Sequence, residues 1–566
     1  MAALPTSLSA SRSPREPLLG TAVAAIVAGL IVGLPVVSVL ASFFSTEATR
    51  DTLLHLASTI IPRAALETAA LSVLVLAGVV LLGAPAAWLV AATDFPGRRW
   101  FEWGLLLPMA MPAYIVAYAY TDFLQFSGPL QTLLRESFGW GRGDYWFPEI
   151  RSLPGAAFVF AVVLYPYVYL LARTAFMART ASMMDAARGL GLSPWSAWWR
   201  VNLPLARPAI AAGALLALME TIADYGAAQY FGLQTFTTSV MRAWFSLGDR
   251  VAASQLAGVL LMVVLVIVAL ESRARGRARF FTPTASQRPA LRSPLAGARG
   301  WVATLVCSVP VVVGFVAPVI LLVRLLVPAW ETVQWTRYLG WLANTVLIAA
   351  AAAALALVFV LLLAYSQRMV TRGAPGWLVK LSVRVMSLGY AVPGAVIAVG
   401  ILVPLAGLDR QIDSLARGVA GSGTGLLLTG SVFALLYGYL VRYFAVAYQP
   451  VETGLARITP AMDASARSLG ASPAEVFRRI HLPILAPSVL AAALLVFVDV
   501  MKELPATLLL RPFNFDTLAV VAYQFAADER LGEAAAPSLT IVAAGVLPVI
   551  LLSRAIARAG QAGSPR

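Results

Sequence analysis

The sequence predicts an all-α integral membrane protein with about twelve transmembrane helices, arranged as two parallel six-helix repeats. Three observations carry that prediction. The 566 residues are 60% hydrophobic with a mean hydropathy of +0.81, whereas soluble domains stay nearer about 45–50% apolar. Only 12% of residues are charged, and they fall in short Arg-bearing stretches between long apolar runs, the pattern of repeated membrane spans. A 24-residue pattern also occurs twice, at Asp185 and again at Ala464.

The formal charge of +15 does not make this a nucleic-acid-binding chain, because its basic residues border apolar spans instead of forming a patch on a soluble surface. They suit membrane topology and a lipid bilayer as the surrounding partner. All basic residues are arginines except Lys380 and Lys502. The single cysteine, Cys307, rules out an internal disulfide.

A helix crossing the hydrocarbon core needs roughly 20 apolar residues. Candidate spans lie at 21–44, 64–92, 102–122, 153–176, 205–224 and 251–271, then at 301–327, 340–366, 382–405, 425–447, 484–503 and 535–555. Backbone groups in lipid must bond within their own segment, so these are expected to be helices, with Pro108, Pro112, Pro393 and Pro404 marking kinks. Thr21–Phe44 exceeds the about 7–15 residues of a signal-peptide core and is read as a retained span. With the N-terminus inside, roughly two thirds of the basic residues fall on the inner side, which predicts cytoplasmic N- and C-termini. The expected organisation is a tail at 1–20, a first domain at 21–272, an Arg-rich cytoplasmic linker at 273–300, a second domain at 301–556 and a tail at 557–566.

The halves repeat at a fixed offset. Gly191 and Gly470 differ by 279 positions, as do Pro194 and Pro473, Pro204 and Pro483, and Pro208 and Pro487. Span two matches as well, with LETAAL from Leu66 against ANTVL from Ala343. Six spans per half is an even number, so both halves insert in one orientation, and a pseudo-twofold axis along the membrane normal is expected.

The repeated loops, at 180–208 and 459–487, lie between spans four and five of each half. Gly191 and Gly470 suit the left-handed residue that ends a helix. Ser193 and Ser472 suit the next N-cap, with Pro194 and Pro473 at the first helical position. Glu475 adds the spacing of a capping box. Each loop therefore reads as helix, glycine turn, helix.

That pattern resembles the EAA loop of ABC importer permeases, in which E-A-A is followed by three residues, Gly, nine residues and Ile-x-Leu-Pro. The first match is Asp185-Ala186-Ala187, Gly191, Val201 and Leu203-Pro204. The second is Ala464-Ser465-Ala466, Gly470, Ile480 and Leu482-Pro483. The acidic position holds Asp in the first copy and Ala in the second, with Asp463 one residue earlier. The resemblance implies a type I permease fold over nearly the whole chain, with loops that dock on a cytoplasmic ABC ATPase. Two loops imply two ATPase copies. The chain has no GxxxxGK[ST] phosphate loop, so no nucleotide cofactor is expected on it and ATP is expected to be used by the partner. It is expected not to be an enzyme itself.

Span five of each half ends in acids that match at the same offset, Glu220 with Asp499 and Asp224 with Glu503. The two acids of each helix are four apart and share a face. Acids at membrane depth are functional candidates, and carboxylates suit hard cations, so four of them could line a translocation path. The alternative is that they sit at the water interface and pair with Lys502, Arg511 or Arg242. No metal ligand set is assigned. METIADYG from Met219 and MKELPATLLLRPFNFDTLA from Met501 resemble the fused permeases of ferric-iron ABC importers. That resemblance implies a bacterial inner-membrane location, ferric iron as cargo and a periplasmic ferric-iron-binding protein as partner.

His55 and His481 are isolated in sequence, and His481 is read as packed or solvated, not as a metal ligand. Trp140, Tyr145 and Trp146 suit an interfacial aromatic belt or a protein contact. A secondary transporter of the major facilitator type also has parallel repeats but gives the repeated loops no role. A membrane-embedded enzyme would want clustered catalytic groups, which the sequence lacks. Thiamine, a polyamine or a phosphonate are the alternative cargoes.

Overall fold

The computed structural model describes residues 16–44, 47–141, 143–177, 189–191, 196, 198–278, 292–369 and 374–562. Helices dominate, as expected where no water is present to satisfy backbone groups. Among the described residues, ten helices are long and apolar enough to cross a membrane. An eleventh crossing would be the pair Arg98–Ala110 and Ala113–Phe138, bent by 89°. The remaining expected span corresponds to Val432–Leu455, which carries Arg442, four tyrosines and Glu452 and is not among the ten.

Span three is broken in both halves by the same device. A short 3-10 turn, Leu107–Ala110 or Leu388–Tyr390, leads to an extended proline, Pro112 (φ −61°, ψ 136°) or Pro393 (φ −56°, ψ 141°), which starts a new helix. Proline fixes φ and has no N–H to donate, so it serves well at a restart. The second-half helix therefore runs Gly394–Ala420, later than the expected 382–405.

Span five is preceded in each half by a π turn, at Trp198–Asn202 and at Phe477–His481. These segments correspond at the 279-residue offset. Their cause is local: Pro204 and Pro483 would clash with the carbonyls four residues back, those of Arg200 and Arg479, which lie inside the π turns. Each π turn rests on the end of span two through an edge-on aromatic pair, Trp88 with Trp198 at 5.9 Å and Tyr365 with Phe477 at 5.4 Å.

Two compact units form. The first joins residues up to Leu34 with Ala353–Tyr390 and Tyr443–Val496. In it, Gly29 of the first span lies against Ser382 so closely that a Cβ would sit 2.5 Å from the serine Cβ. The second unit holds Pro35–Ala352, Ala391–Arg442 and Phe497–Arg566. Its core gathers Tyr118, Tyr165, Tyr169 and Phe160 with Cys307, Leu322 and Ile541. Here the second half's first span crosses the first half's helices, and Gly314 lets its backbone approach the Val162 carbonyl (a Cβ would lie 2.3 Å from that oxygen). A two-residue parallel pairing of Thr93–Asp94 with Ser293–Pro294 fixes the chain just before that span.

Candidate functional site

The repeated loop of the second half is described throughout its backbone. Helix Pro460–Ser468 ends at Gly470, whose φ of +82° is the left-handed conformation that glycine adopts without strain. The Ala471 N–H then reaches back to the Ala466 carbonyl at 3.1 Å, as in a Schellman ending. Ser472 and Glu475 form the reciprocal capping box: the Ser472 N–H donates to Glu475 Oε2 at 3.0 Å and the Glu475 N–H to Ser472 Oγ at 3.3 Å. Hydrogen bonds donated by the Ser472 N–H and hydroxyl, helped by Arg479, hold the Glu475 carboxyl below its ordinary range. In the first loop, Gly191 takes the same left-handed turn at +73°, while Asp185, Ala186 and Ala187 lie outside the described residues. Ala464, Ser465 and Gly470 are exposed, and Ala466 is buried. The residue before each glycine, Leu190 or Leu469, is a leucine more than four-fifths exposed. Leu203 and Pro204 begin the first span-five helix after the π turn, and Leu482 and Pro483 begin the second.

Asp463, one residue ahead of the expected acidic position, braces this loop. Its Oδ2 accepts from Arg368 at 2.6 Å and its Oδ1 lies 2.7 Å from His481 Nε2. Arg368 also donates to the Ile458 carbonyl at 3.0 Å. His481 is 2% exposed and belongs to the π turn, so the histidine is packed and hydrogen-bonded to Asp463. One carboxylate therefore ties the end of span two, the loop helix and the start of span five together.

At the far end of span five the helix breaks in both halves, and the matched acids cap the short helix beyond each break. Asp224 Oδ1 accepts the Ala227 N–H at 2.8 Å and the Ala228 N–H at 3.4 Å, at the start of Gly226–Tyr230. Glu503, 4% exposed, accepts the N–H groups of Ala506 and Thr507 at 2.9 Å each, at the start of Pro505–Leu510. Helix N-termini expose such donors and favour negative charge. Asp499 pairs with Lys502 at 2.9 Å, and Glu220 lies within electrostatic reach of Lys502. Of the other proposed bases, Arg511 pairs with Asp516, and Arg242 lines a cavity beside Tyr225. Among the described residues, no three or more His, Cys, Asp or Glu side chains are placed to hold a metal ion, so the four acids do not meet in one carboxylate cage.

Arg442 escaped the sequence reading. It stands in the Val432–Leu455 helix, and Gly394 is wedged between it and Glu503: a Cβ at Gly394 would lie 2.7 Å from Glu503 Oε1 and 2.9 Å from an Arg442 guanidinium nitrogen. Arg442 also acts electrostatically on Asp224 and Lys502. The signal was present in the sequence as a lone arginine within VFALLYGYLVRYFAVAYQ, since a charge at membrane depth marks a functional position.

The segment after each break is pinned to span two. Thr68 Oγ1 accepts the Phe236 N–H and Thr345 Oγ1 the Leu518 N–H. One residue earlier, Glu67 accepts the Gln234 N–H at 2.6 Å, whereas Asn344 donates to the Asp516 carbonyl at 3.1 Å. The matched LETAAL and ANTVL stretches are thus paired anchor points. Away from them, Phe138, Trp140 and Tyr145 stack successively at 4.6 and 5.3 Å, and Trp146 is 86% exposed.

The chain is similar in sequence to known proteins. The chain matches the family of binding-protein-dependent transport system inner membrane components twice, over residues 79–272 and 368–561. It is 24% identical over 492 residues to the Fe(3+)-transport system permease protein FbpB 2 of Haemophilus influenzae, covering 86% of this chain and 89% of that protein. It is also 24% identical over 487 residues to a probable ABC transporter permease protein, y4fN, of Sinorhizobium fredii, covering 81% of each. A shorter match, 33% over 158 residues, is to a putative 2-aminoethylphosphonate transport system permease protein of Salmonella typhimurium, covering 27% of this chain and 60% of that protein. With both halves matched and the helices, breaks and loops repeated between them, the chain belongs to the family of binding-protein-dependent transport system inner membrane components, as a multi-pass inner-membrane permease of an ABC importer.

Proposed function

We propose that this permease forms the translocation path for ferric iron, with both termini in the cytoplasm, two copies of a cytoplasmic ATPase on the repeated loops and a periplasmic ferric-iron-binding protein as donor. The observation that carries the cargo is the end-to-end similarity to a permease named for Fe(3+) transport, over 86% of this chain. The phosphonate relative aligns with only 27% of it. The chemistry is compatible, since Glu220, Asp224, Asp499 and Glu503 are hard oxygen groups at the far end of span five. The loops reach the ATPase through Asp185, Ala186, Ala187 and Gly191 in one half and the exposed Ala464, Ser465 and Gly470 in the other, with Ala466 packed beneath them. The exposed Leu190 and Leu469 supply apolar knobs for the partner's cleft, and the π turns relay its motion to span five.

The deciding experiment is uptake of radioactive ferric iron by cells lacking this chain, with and without its restoration. ATP-dependent uptake on restoration is the expected result. Correct insertion without uptake would move the cargo to another small solute such as thiamine, a polyamine or a phosphonate.

A further inference from the structure

The break after span five of the first half adjoins a cavity of about 440 Å³. Its lining includes Tyr225, Gln229 of the short helix beyond the break, Gln234, Arg242 of the Phe236–Phe245 helix, and Ser246. Among the described residues, Arg242 is the one charged group in that lining. Among the same residues, the side chains of Arg242, Gln229, Gln234 and Ser246 bond to no other group of the protein. Tyr225 accepts from the Tyr523 hydroxyl at 3.2 Å, which leaves its own proton free to donate. Glu67 accepts the Gln234 N–H at 2.6 Å but is itself paired with Arg63 at 2.9 Å, so its charge is balanced without Arg242.

We propose that this cavity is a binding site for a small oxyanion, a carboxylate or phosphate group held by the Arg242 guanidinium and the amides and hydroxyls around it. Charge comes first: a lining with one cation and no acid favours a negative ligand. Donor geometry agrees. The planar fork of arginine offers paired N–H groups to a carboxylate or phosphate, and such charge-assisted bonds are the stronger ones. Gln229, Gln234, Ser246 and Tyr225 each add an N–H or O–H. The volume lies in the lower part of the range of about 300–1,000 Å³ usual for small-molecule pockets. The two halves also differ at this point. Asp224 corresponds to Glu503 and Phe236 to Leu518, each pair by its hydrogen bonds. Counted from those pairs, Leu504 and Leu508 stand where Tyr225 and Gln229 do, and Gln524 stands where Arg242 does. The matched helices of the second half thus pack without this polar wall, and an arginine that merely reached for water would need no amides beside it. A bound oxyanion touches both the break and the Phe236–Phe245 helix and so ties that helix to the end of span five. The site is independent of which cargo the permease carries.

The test titrates the full-length permease in lipid nanodiscs with inorganic phosphate and with citrate, against chloride at matched ionic strength, and reads the thermal midpoint. A ligand that binds only the folded state raises the midpoint, so wild type should respond to at least one of the two anions. Arg242→Gln should weaken the apparent affinity by about tenfold or more, the scale of a lost charge-assisted hydrogen bond. An unchanged midpoint for that variant in chloride shows that it is folded. Arg250→Gln, at an exposed arginine outside the lining, should respond as wild type does. Nanodiscs of phosphatidylcholine alone and with added phosphatidylglycerol separate the sources of the anion. A wild-type midpoint raised by phosphatidylglycerol, with the phosphate response lost, assigns the site to a lipid headgroup; a phosphate response that persists assigns it to a free anion. No anion-dependent rise in any arm, or the same rise in Arg242→Gln as in wild type, would overturn the site.

Discussion

Thr68 and Thr345 accept the same backbone hydrogen bond in the two halves, at 3.3 Å from Phe236 and 2.8 Å from Leu518. Each donor is the first residue of its helix and so has no partner within it. The threonines are 6% and 1% exposed. Replacing either with valine keeps the shape and strands a buried N–H, at a cost of about 1–3 kcal/mol. Thr68→Val and Thr345→Val should each lower the thermal midpoint of the purified protein, and Thr345→Ser should restore most of it. Equal midpoints for wild type and both valine variants would contradict the anchoring role.

Gly394 separates Arg442 from Glu503. A methyl group there meets two charged side chains and lies 3.2 Å from the Ala506 backbone nitrogen, so Gly394→Ala should destabilise by about 1–3 kcal/mol. Gly407 stands in the same helix with open space around it, and Gly407→Ala should instead be neutral or gain up to about 1 kcal/mol. A pair of variants with equal stability would show that the wedge does not matter.

The Asp463 brace is pH-dependent in one direction. Burial pushes its carboxyl up, but the hydrogen bonds and charges of Arg368 and His481 outweigh burial and leave it below the ordinary range. A depressed carboxylate contributes stability above the unfolded value of about 3.9 and loses it as pH falls through the lowered folded value. Asp463→Asn should therefore lower the midpoint at neutral pH and flatten its decline on the acid side. An acid limb identical to that of wild type would place the pH dependence elsewhere.

Leu190 and Leu469 give the ATPase reading a test that leaves the fold alone. Both are exposed, so Leu190→Glu and Leu469→Glu should change stability by no more than about 0.5 kcal/mol. Co-purification of the ATPase should nevertheless fall, and Asp185→Lys should likewise impair coupling. Full ATPase recovery with all three substitutions combined would argue that docking occurs elsewhere.

The helices and their duplication were legible because apolar length and a fixed offset are properties of the sequence alone. The loop turns were legible for a related reason: Gly470, Ser472 and Glu475 interact within six residues of one another, so local chemistry determines them. Long-range purpose was not legible. The LETAAL and ANTVL match was visible, but its partners lie 168 and 173 residues away. Asp463 looks like a displaced loop acid in the sequence because Arg368 is distant along the chain. Asp224 and Glu503 read as path-lining groups, and their hydrogen bonds to Ala227 and Ala506 depend on a helix break that apolar composition does not announce. Arg442 is visible as a charge inside an apolar run, but its neighbours Gly394 and Glu503 are distant along the chain.

The crossing of Gly314 against Val162 bears on the order in which the chain is made. Helices Glu47–Ala92 and Leu153–Met177 leave the ribosome well before Ala298–Ala329, the segment that covers part of their surface. Chains generally fold from the N-terminus as they are synthesised, yet here the first half must wait for a helix encoded after its own last span. Fusion supplies that helix in cis, from the same messenger and at a fixed delay. Two separately expressed halves would have to find each other in the bilayer before either was complete.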